Sequence, residues 1–404
     1  MKTSDLDDAR RAPKGEANIF RRANPFAIFV AAYAGYNVLG LVDAPWIIKG
    51  TYDKTLCWEL FAIGMAGLFI GYFSAPRLKI RQPVALKKFR KSKQLTILFF
   101  LIFAFCISAA IVLNHGLPLL QGEARFQNSA LLSNLAPLYG FWILTRMISD
   151  LERKKRPGIF QPIVYIVGIL ILGYRSPVLA FVLTYYCYWV VFRLSGSRAI
   201  WLSVFVGGAL GLFAACLSLF RISQNYDVAR FFENVDFNFV LAHKYILPLV
   251  PALSMFDFSQ STIAKIGIAL KEPMYGGLMM SNFETLLPGK HWGARNVIGD
   301  LTGARWVAGR PMSITPTLQG ALYTDFGYVG VFVGLFLIAW FIRWYRNYAF
   351  SHGVDSRFCF CYFFSLSLMS IHAGYWDVNF IFVGFFVVLI KIFDAMKNNL
   401  GGQG

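Results

Sequence analysis

The sequence predicts an all-α polytopic membrane protein of about ten transmembrane helices with one large outward-facing loop. Three observations lead there. The chain is 57% hydrophobic and only 15% charged, with a mean hydropathy of +0.53, whereas soluble domains carry about 25% charged residues. Its apolar residues fall in blocks of roughly 15–23, the length a helix needs to cross about 30 Å of hydrocarbon. Its basic residues collect on one side of those blocks, as they do in cytoplasmic loops, so the net charge of +18 does not require a nucleic-acid partner. A water-soluble enzyme, a disordered scaffold, a fibrous repeat and a disulfide-stapled secreted domain are excluded.

A basic arm opens the chain at 1–24; no apolar core with a small-residue cleavage site follows it, so it does not read as a signal peptide. The spans are expected at 25–42, 56–74, 95–113, 131–148, 160–173, 178–192 and 199–220, then at 320–342, 358–374 and 379–394, with a tail at 395–404. With the N-terminus inside, 26 of the 39 basic residues fall in cytoplasmic segments, and 9 of the outer 13 lie in the long loop, where the charge rule does not apply. Both termini are therefore expected in the cytoplasm.

The outer segment 221–319 is too long for a connector and is expected to fold. Its apolar run Tyr245–Val250 is suited to the outer leaflet. None of its residues is cysteine, so it is not disulfide-stapled; Cys106, Cys187, Cys216, Cys359 and Cys361 lie within spans, and Cys57 at the edge of one. The Cys359-Phe360-Cys361 spacing suits no zinc site, no phosphate-binding fingerprint occurs, and neither cofactor nor metal is expected.

Charges beside apolar spans are costly and mark candidate sites. The fifth and sixth spans run from Pro157 to Phe192. That gives roughly 54 Å of helix, against about 60 Å for two crossings. The turn Gly173-Tyr174-Arg175-Ser176-Pro177 is thus drawn below the outer surface, recessing Arg175. The end of the loop gathers Lys290, His291, Trp292, Arg295, Asp300, Arg305, Trp306 and Arg310 before the eighth span. Arginine forks bind phosphate oxygens bidentately, so this cluster suits one compact phosphate or pyrophosphate group. Glu123 and Arg125 lie on the same side after the third span. His372 and Asp377 are expected to be structural, Glu59 to face the bundle interior or the interface, and Gly320, Gly327, Gly330 and Gly334 to form a stripe for close helix packing.

The layout, the Gly173-Tyr174-Arg175-Ser176 turn, and the stretch Arg310-Pro311-Met312-Ser313-Ile314-Thr315-Pro316 through Gly320, Tyr323, Asp325-Phe326-Gly327 and Gly330 resemble the Wzy-type O-antigen polymerases. The resemblance implies a GT-C-like membrane glycosyltransferase in the bacterial inner membrane with its loop in the periplasm. Its partners would be undecaprenyl-pyrophosphate-linked glycans, membrane lipids and a chain-length regulator, with no nucleic acid. On it, Arg175 and Arg310 are expected to stabilise the leaving pyrophosphate and His291 to accept the proton, with Glu123 and Asp300 as substitutes. Arg295, Arg305, Arg125, Glu123, Asp300 and Tyr323 are expected to bind substrate. Two other readings stay open. An O-antigen ligase would use a similar arginine-rich site, and a lipid-linked oligosaccharide flippase would carry mid-membrane charges and two related halves, neither of which is visible.

Overall fold

The computed structural model describes residues 24–41, 52–76, 92–120, 134–174, 176–194, 198–209, 250–286, 293–304, 313–376 and 379–401. Among them there is no strand. The helices are α1 (Pro25–Leu41), α2 (Thr55–Ser74), α3 (Lys93–Leu113), α4 (Pro137–Glu152), α5 (Phe160–Ile171) and α6 (Ser176–Tyr188), the last running into a π-turn at Trp189–Arg193. They continue as α7 (Arg198–Ala209), α8 (Val250–Ala269), α9 (Gly277–Glu284), α10 (Ala294–Leu301), α11 (Thr317–Ser351), α12 (Val354–Ala373) and α13 (Asn379–Gly401). Long apolar runs take this form because hydrocarbon offers no partner for backbone N–H and C=O groups, which a helix satisfies within itself. Among the described residues, five segments are long and apolar enough to cross a membrane: α2, α3, α6 with its π-turn, α11 and α12. Shorter apolar helices lie at Pro25–Leu41, Phe160–Ile171, Arg198–Ala209 and Phe380–Ile392.

Contacts fix the helix directions. Gly67 of α2 packs on the Phe332 carbonyl of α11, and Gly71, one turn on, packs on the Phe336 carbonyl, so these two helices run parallel. Each glycine presents bare backbone to its neighbour; a Cβ on Gly67 would lie 2.5 Å from the Phe332 oxygen. This close approach is the association mode available in lipid, where side-chain burial gives little driving force. In contrast, α6 and α12 are antiparallel, with Thr184 Oγ1 3.0 Å from Ser365 Oγ and Phe192 packed edge-on against Phe360. The start of α6 therefore lies beside the end of α12.

The stripe expected of Gly320, Gly327, Gly330 and Gly334 does not act as one surface. Gly327 breaks α11, with φ 63° and ψ −154°, a conformation open to glycine. The first arm, 317–326, folds back on the second: the Leu322 carbonyl lies 2.6 Å from where a Cβ on Gly330 would sit, and the Leu322 side chain fills the notch at Gly334. In an unbroken helix Leu322 and Gly334 would be separated by roughly 18 Å. Gly320 instead faces Ile263 of α8. Glu59, expected at the interior or interface, is exposed on α2, and its Oε2 accepts from Tyr328 Oη at 2.7 Å.

Described parts of the segment 221–319 fold on the bundle. Ile266 of α8, Leu278 of α9, Ala294 and Ile298 of α10, Ile314, and Ala321 of the first arm of α11 form a second apolar core. It is separate from the large core shared by the apolar helices. The run Tyr245–Leu249 lies outside the described residues.

Candidate functional site

The apolar helix α1 carries Tyr33, Tyr36 and Asn37 near its C-terminal end. Buried polar groups in such a helix require partners, and α8, α11 and α12 supply them. Asn37 Nδ2 donates to the Tyr33 carbonyl at 2.8 Å, and Gln260 Nε2 of α8 donates to Asn37 Oδ1 at 3.0 Å. Tyr33 Oη donates to Gln319 Oε1 of α11 at 2.6 Å. Tyr36 Oη stands between two groups, 2.7 Å from Ser259 Oγ and 2.6 Å from His372 Nδ1 of α12. Cys57 Sγ of α2 donates to the Gln260 carbonyl. Two amide atoms in this network, Gln260 Oε1 and Gln319 Nε2, are buried and take no hydrogen bond from or to the described residues.

α10 brings a charge to this end. Arg295, in its first turn, is exposed. The Arg295 carbonyl accepts from Ile314 N at 3.0 Å, tying α10 to the stretch of chain that enters α11.

Asp325 anchors the other side of the cluster. Fully buried, it accepts from Leu278 N at 2.8 Å and Met279 N at 2.9 Å, the open N–H groups in the first turn of α9. Tyr375 Oη donates to the same carboxylate at 2.5 Å and to the Ala321 carbonyl at 3.2 Å. Burial, then the adjacent Asp325 carboxylate, push the Tyr375 phenol well above its ordinary pKa, so it remains a donor. Tyr52, which donates to Asp257 Oδ1 at 3.0 Å, is raised by burial first and by Asp257 second. Gly276, at φ 90°, makes the turn that delivers α9 to Asp325. The motif Asp325-Phe326-Gly327 thus combines a carboxylate that caps a loop helix with the glycine that breaks α11.

Among the described residues, no three His, Cys, Asp or Glu side chains gather closely enough to hold a metal ion. Of the residues singled out in the sequence, Arg175, Arg310, His291, Arg305, Arg125 and Glu123 lie outside the described residues, as does Asp377. Arg295 is exposed in the first turn of α10. Asp300 is exposed near the end of α10, and Tyr323 is half-buried on the first arm of α11, edge-on to Tyr328. Sequence reasoning missed Tyr33, Tyr36, Asn37, Ser259, Gln260 and Gln319, and took His372 as structural. The available signal was the placing of Tyr33, Tyr36 and Asn37 three and four residues apart on one face of an apolar helix.

The family model described as "Putative O-antigen polymerase" matches residues 25–386, nearly the whole chain. No curated protein and no solved structure matches the chain significantly.

Proposed function

The chain belongs to the O-antigen polymerase family, and from that premise we propose that it is a ten-span membrane glycosyltransferase of the bacterial inner membrane. In this reading it joins oligosaccharide repeat units carried on undecaprenyl pyrophosphate, with both termini in the cytoplasm and the long loop in the periplasm. A growing chain leaves its lipid carrier and is attached to the free end of a new lipid-linked unit. The task is electrostatic, since a lipid pyrophosphate departs and positive charge is needed where its negative charge develops. Arg175 and Arg310 take that role, with Arg305 and Arg295 beside them, while Arg125, Glu123, Asp300 and Tyr323 contact the glycans. Partners of the reaction are the lipid-linked glycans and a chain-length regulator.

The observation that carries this reading is the convergence at one end of the bundle. Loop helices α8 and α10 and the broken arm of α11 meet the ends of α1 and α12 there, around a hydroxyl, amide and imidazole network, and α10, packed on α8 and on the first arm of α11, carries the exposed Arg295. Such a network offers donors and acceptors to a sugar, and the arginine offers a charge to a phosphate.

The test is lipopolysaccharide banding from cells lacking the protein, complemented with wild type, Arg175→Ala or Arg310→Ala. The expected result is a ladder restored by wild type, and core plus a single repeat unit with either variant. Core without any repeat in the uncomplemented cells would point to a ligase or a flippase, and an unchanged ladder would end the glycan reading.

A further inference from the structure

We propose that His372 is the proton acceptor for the attacking sugar hydroxyl, held in orientation by Tyr36 and Ser259. This deepens the glycosyl-transfer reading and rests on it. The geometry is a chain of three side chains from three helices: Ser259 Oγ of α8, Tyr36 Oη of α1, and the Nδ1 edge of His372 on α12, linked at 2.7 and 2.6 Å. The ring of Tyr36 also lies against the imidazole, with centroids 5.7 Å apart. The ring is therefore fixed through one nitrogen and by contact with its face.

One of the two directions open to this chain of bonds suits a base. When His372 Nδ1–H donates to Tyr36 Oη, and Tyr36 Oη–H donates to Ser259 Oγ, the lone pair of the imidazole is on Nε2. Among the described residues none bonds to Nε2, and His372 is half-buried rather than sealed in.

Arg295 gives the second component. α10 packs against α8, the helix that carries Ser259, so a phosphate held by the exposed Arg295 would bring a lipid pyrophosphate to the same end of the bundle. The step then balances as follows. The acceptor sugar oxygen forms a bond to the anomeric carbon of the growing chain while its proton passes to His372 Nε2. The bond from that carbon to the pyrophosphate oxygen breaks, and its electron pair leaves with the undecaprenyl pyrophosphate. The imidazolium formed lies next to the negative charge that has just appeared, and its proton is afterwards lost to solvent. Tyr36 and Ser259 are positioning residues.

The experiment uses the purified full-length protein added to membranes from cells that lack it, which hold their native lipid-linked units, with chain length read on gels. His372→Asn keeps an amide N–H where Nδ1 donates to Tyr36 and removes the Nε2 base. The expected outcome is a fall in kcat of about a hundredfold or more, the range of a lost general base, with KM and thermal melting close to wild type. A His372→Asn rate within threefold of wild type, with wild type active, would overturn the assignment of His372 alone. A wild type that extends no chains would overturn the glycosyl-transfer reading, and this proposal with it. Should His372→Asn fail to accumulate, Tyr36→Phe carries the test. An approximately tenfold lower kcat at unchanged KM supports the relay, and a wild-type kcat refutes it.

Discussion

The end of the bundle that gathers Glu152, Tyr188, Arg193 and Arg357 is built from different chemistry than the end that gathers Tyr36, Ser259, Gln319 and His372. At the first, Arg357 pairs with Glu152 at 2.5 Å, Tyr188 Oη donates to the same carboxylate oxygen, and Arg193 Nε donates to Tyr188 Oη at 3.1 Å. Arg357 also lies over the Phe192 ring and Arg193 over the Tyr188 ring. α4, the π-turn after α6, and α12 are thereby clamped by opposite charges. At the second end the groups are hydroxyls, amides, one imidazole and the buried Asp325 carboxylate, which accepts from Leu278 N, Met279 N and Tyr375 Oη, and two buried amide atoms are left unbonded among the described residues. Single buried atoms without a hydrogen bond to the described residues occur near both ends, on Asp150, Arg346 and Asp355, which have other partners, as well as on Gln260 and Gln319, so they do not by themselves mark a ligand end. Charge is used to hold the helices where no ligand is expected. A network of neutral groups, with the Asp325 carboxylate behind it and Arg295 exposed on α10, stands where the ligand is proposed.

The comparison is broken most severely by removing one partner of the clamp. The Arg357 and Glu152 side chains are 11% and 12% exposed, so Arg357→Met leaves a buried carboxylate without its charge partner, a loss of about 3–5 kcal/mol. Thermal melting in detergent should fall sharply, and the protein should accumulate poorly. The double variant Glu152→Gln with Arg357→Met should recover most of the loss, because the unpaired charge has gone as well. If the single variant melts like wild type, the clamp does not hold this end.

A smaller effect is expected at Asp325, on the other end. Asp325→Asn weakens a carboxylate that accepts from Leu278 N, Met279 N and Tyr375 Oη, a change of about 2–3 kcal/mol for bonds to a charged group. Since the bonds tie α9 to the broken arm of α11, the consequence should be local. Limited proteolysis should nick the chain between Leu270 and Leu286 before the bundle unfolds, and global melting should move less than with Arg357→Met. Tyr375→Phe, which removes one of the three bonds, should give a fraction of that exposure. Unchanged protease resistance in Asp325→Asn would mean that apolar packing through Leu278 and Ile298 is sufficient to hold α9.

The two ends were also not equally readable in the sequence. Apolar runs gave the helices closely: the span expected at 56–74 is α2 at Thr55–Ser74, and that at 25–42 is α1 at Pro25–Leu41. Backbone bonding in hydrocarbon is local and written in a continuous stretch of residues. The break of α11 was not legible, because Gly327 lies in a row of glycines that serves equally well for helix contact, and only Asp325 capping α9 across 46 residues of sequence distinguishes it. The polar network was missed for the same reason. Tyr33, Asn37, Gln260 and Gln319 come from three helices, and nothing local marks them as neighbours; Tyr33 and Gln319 stand 286 positions apart in the chain. Arginines attract notice one at a time, whereas a site of neutral groups becomes visible only when the helices are assembled.

The smallest expected effect on stability sharpens the comparison most. Gln319→Met removes a buried amide whose Nε2 bonds to no described residue, which is favourable, and deprives Tyr33 Oη of its acceptor, which is not. The two terms oppose each other, each on the order of 1–3 kcal/mol for a stranded buried group, and the net change in melting should stay within about 1 kcal/mol. Tyr33→Phe added to Gln319→Met should return the protein to wild-type stability or above it, since neither orphan remains. If the amides existed only for packing, chain extension in these two variants would be as unaffected as their melting. If they belong to the substrate site, extension should fall severalfold in a protein that melts normally. That separation of activity from stability is what the clamp end cannot give, because there every loss of activity would follow loss of the fold. A Gln319→Met protein equal to wild type in both measurements would confine the site to Tyr36, His372 and Arg295 and leave the unbonded amides as a feature of packing.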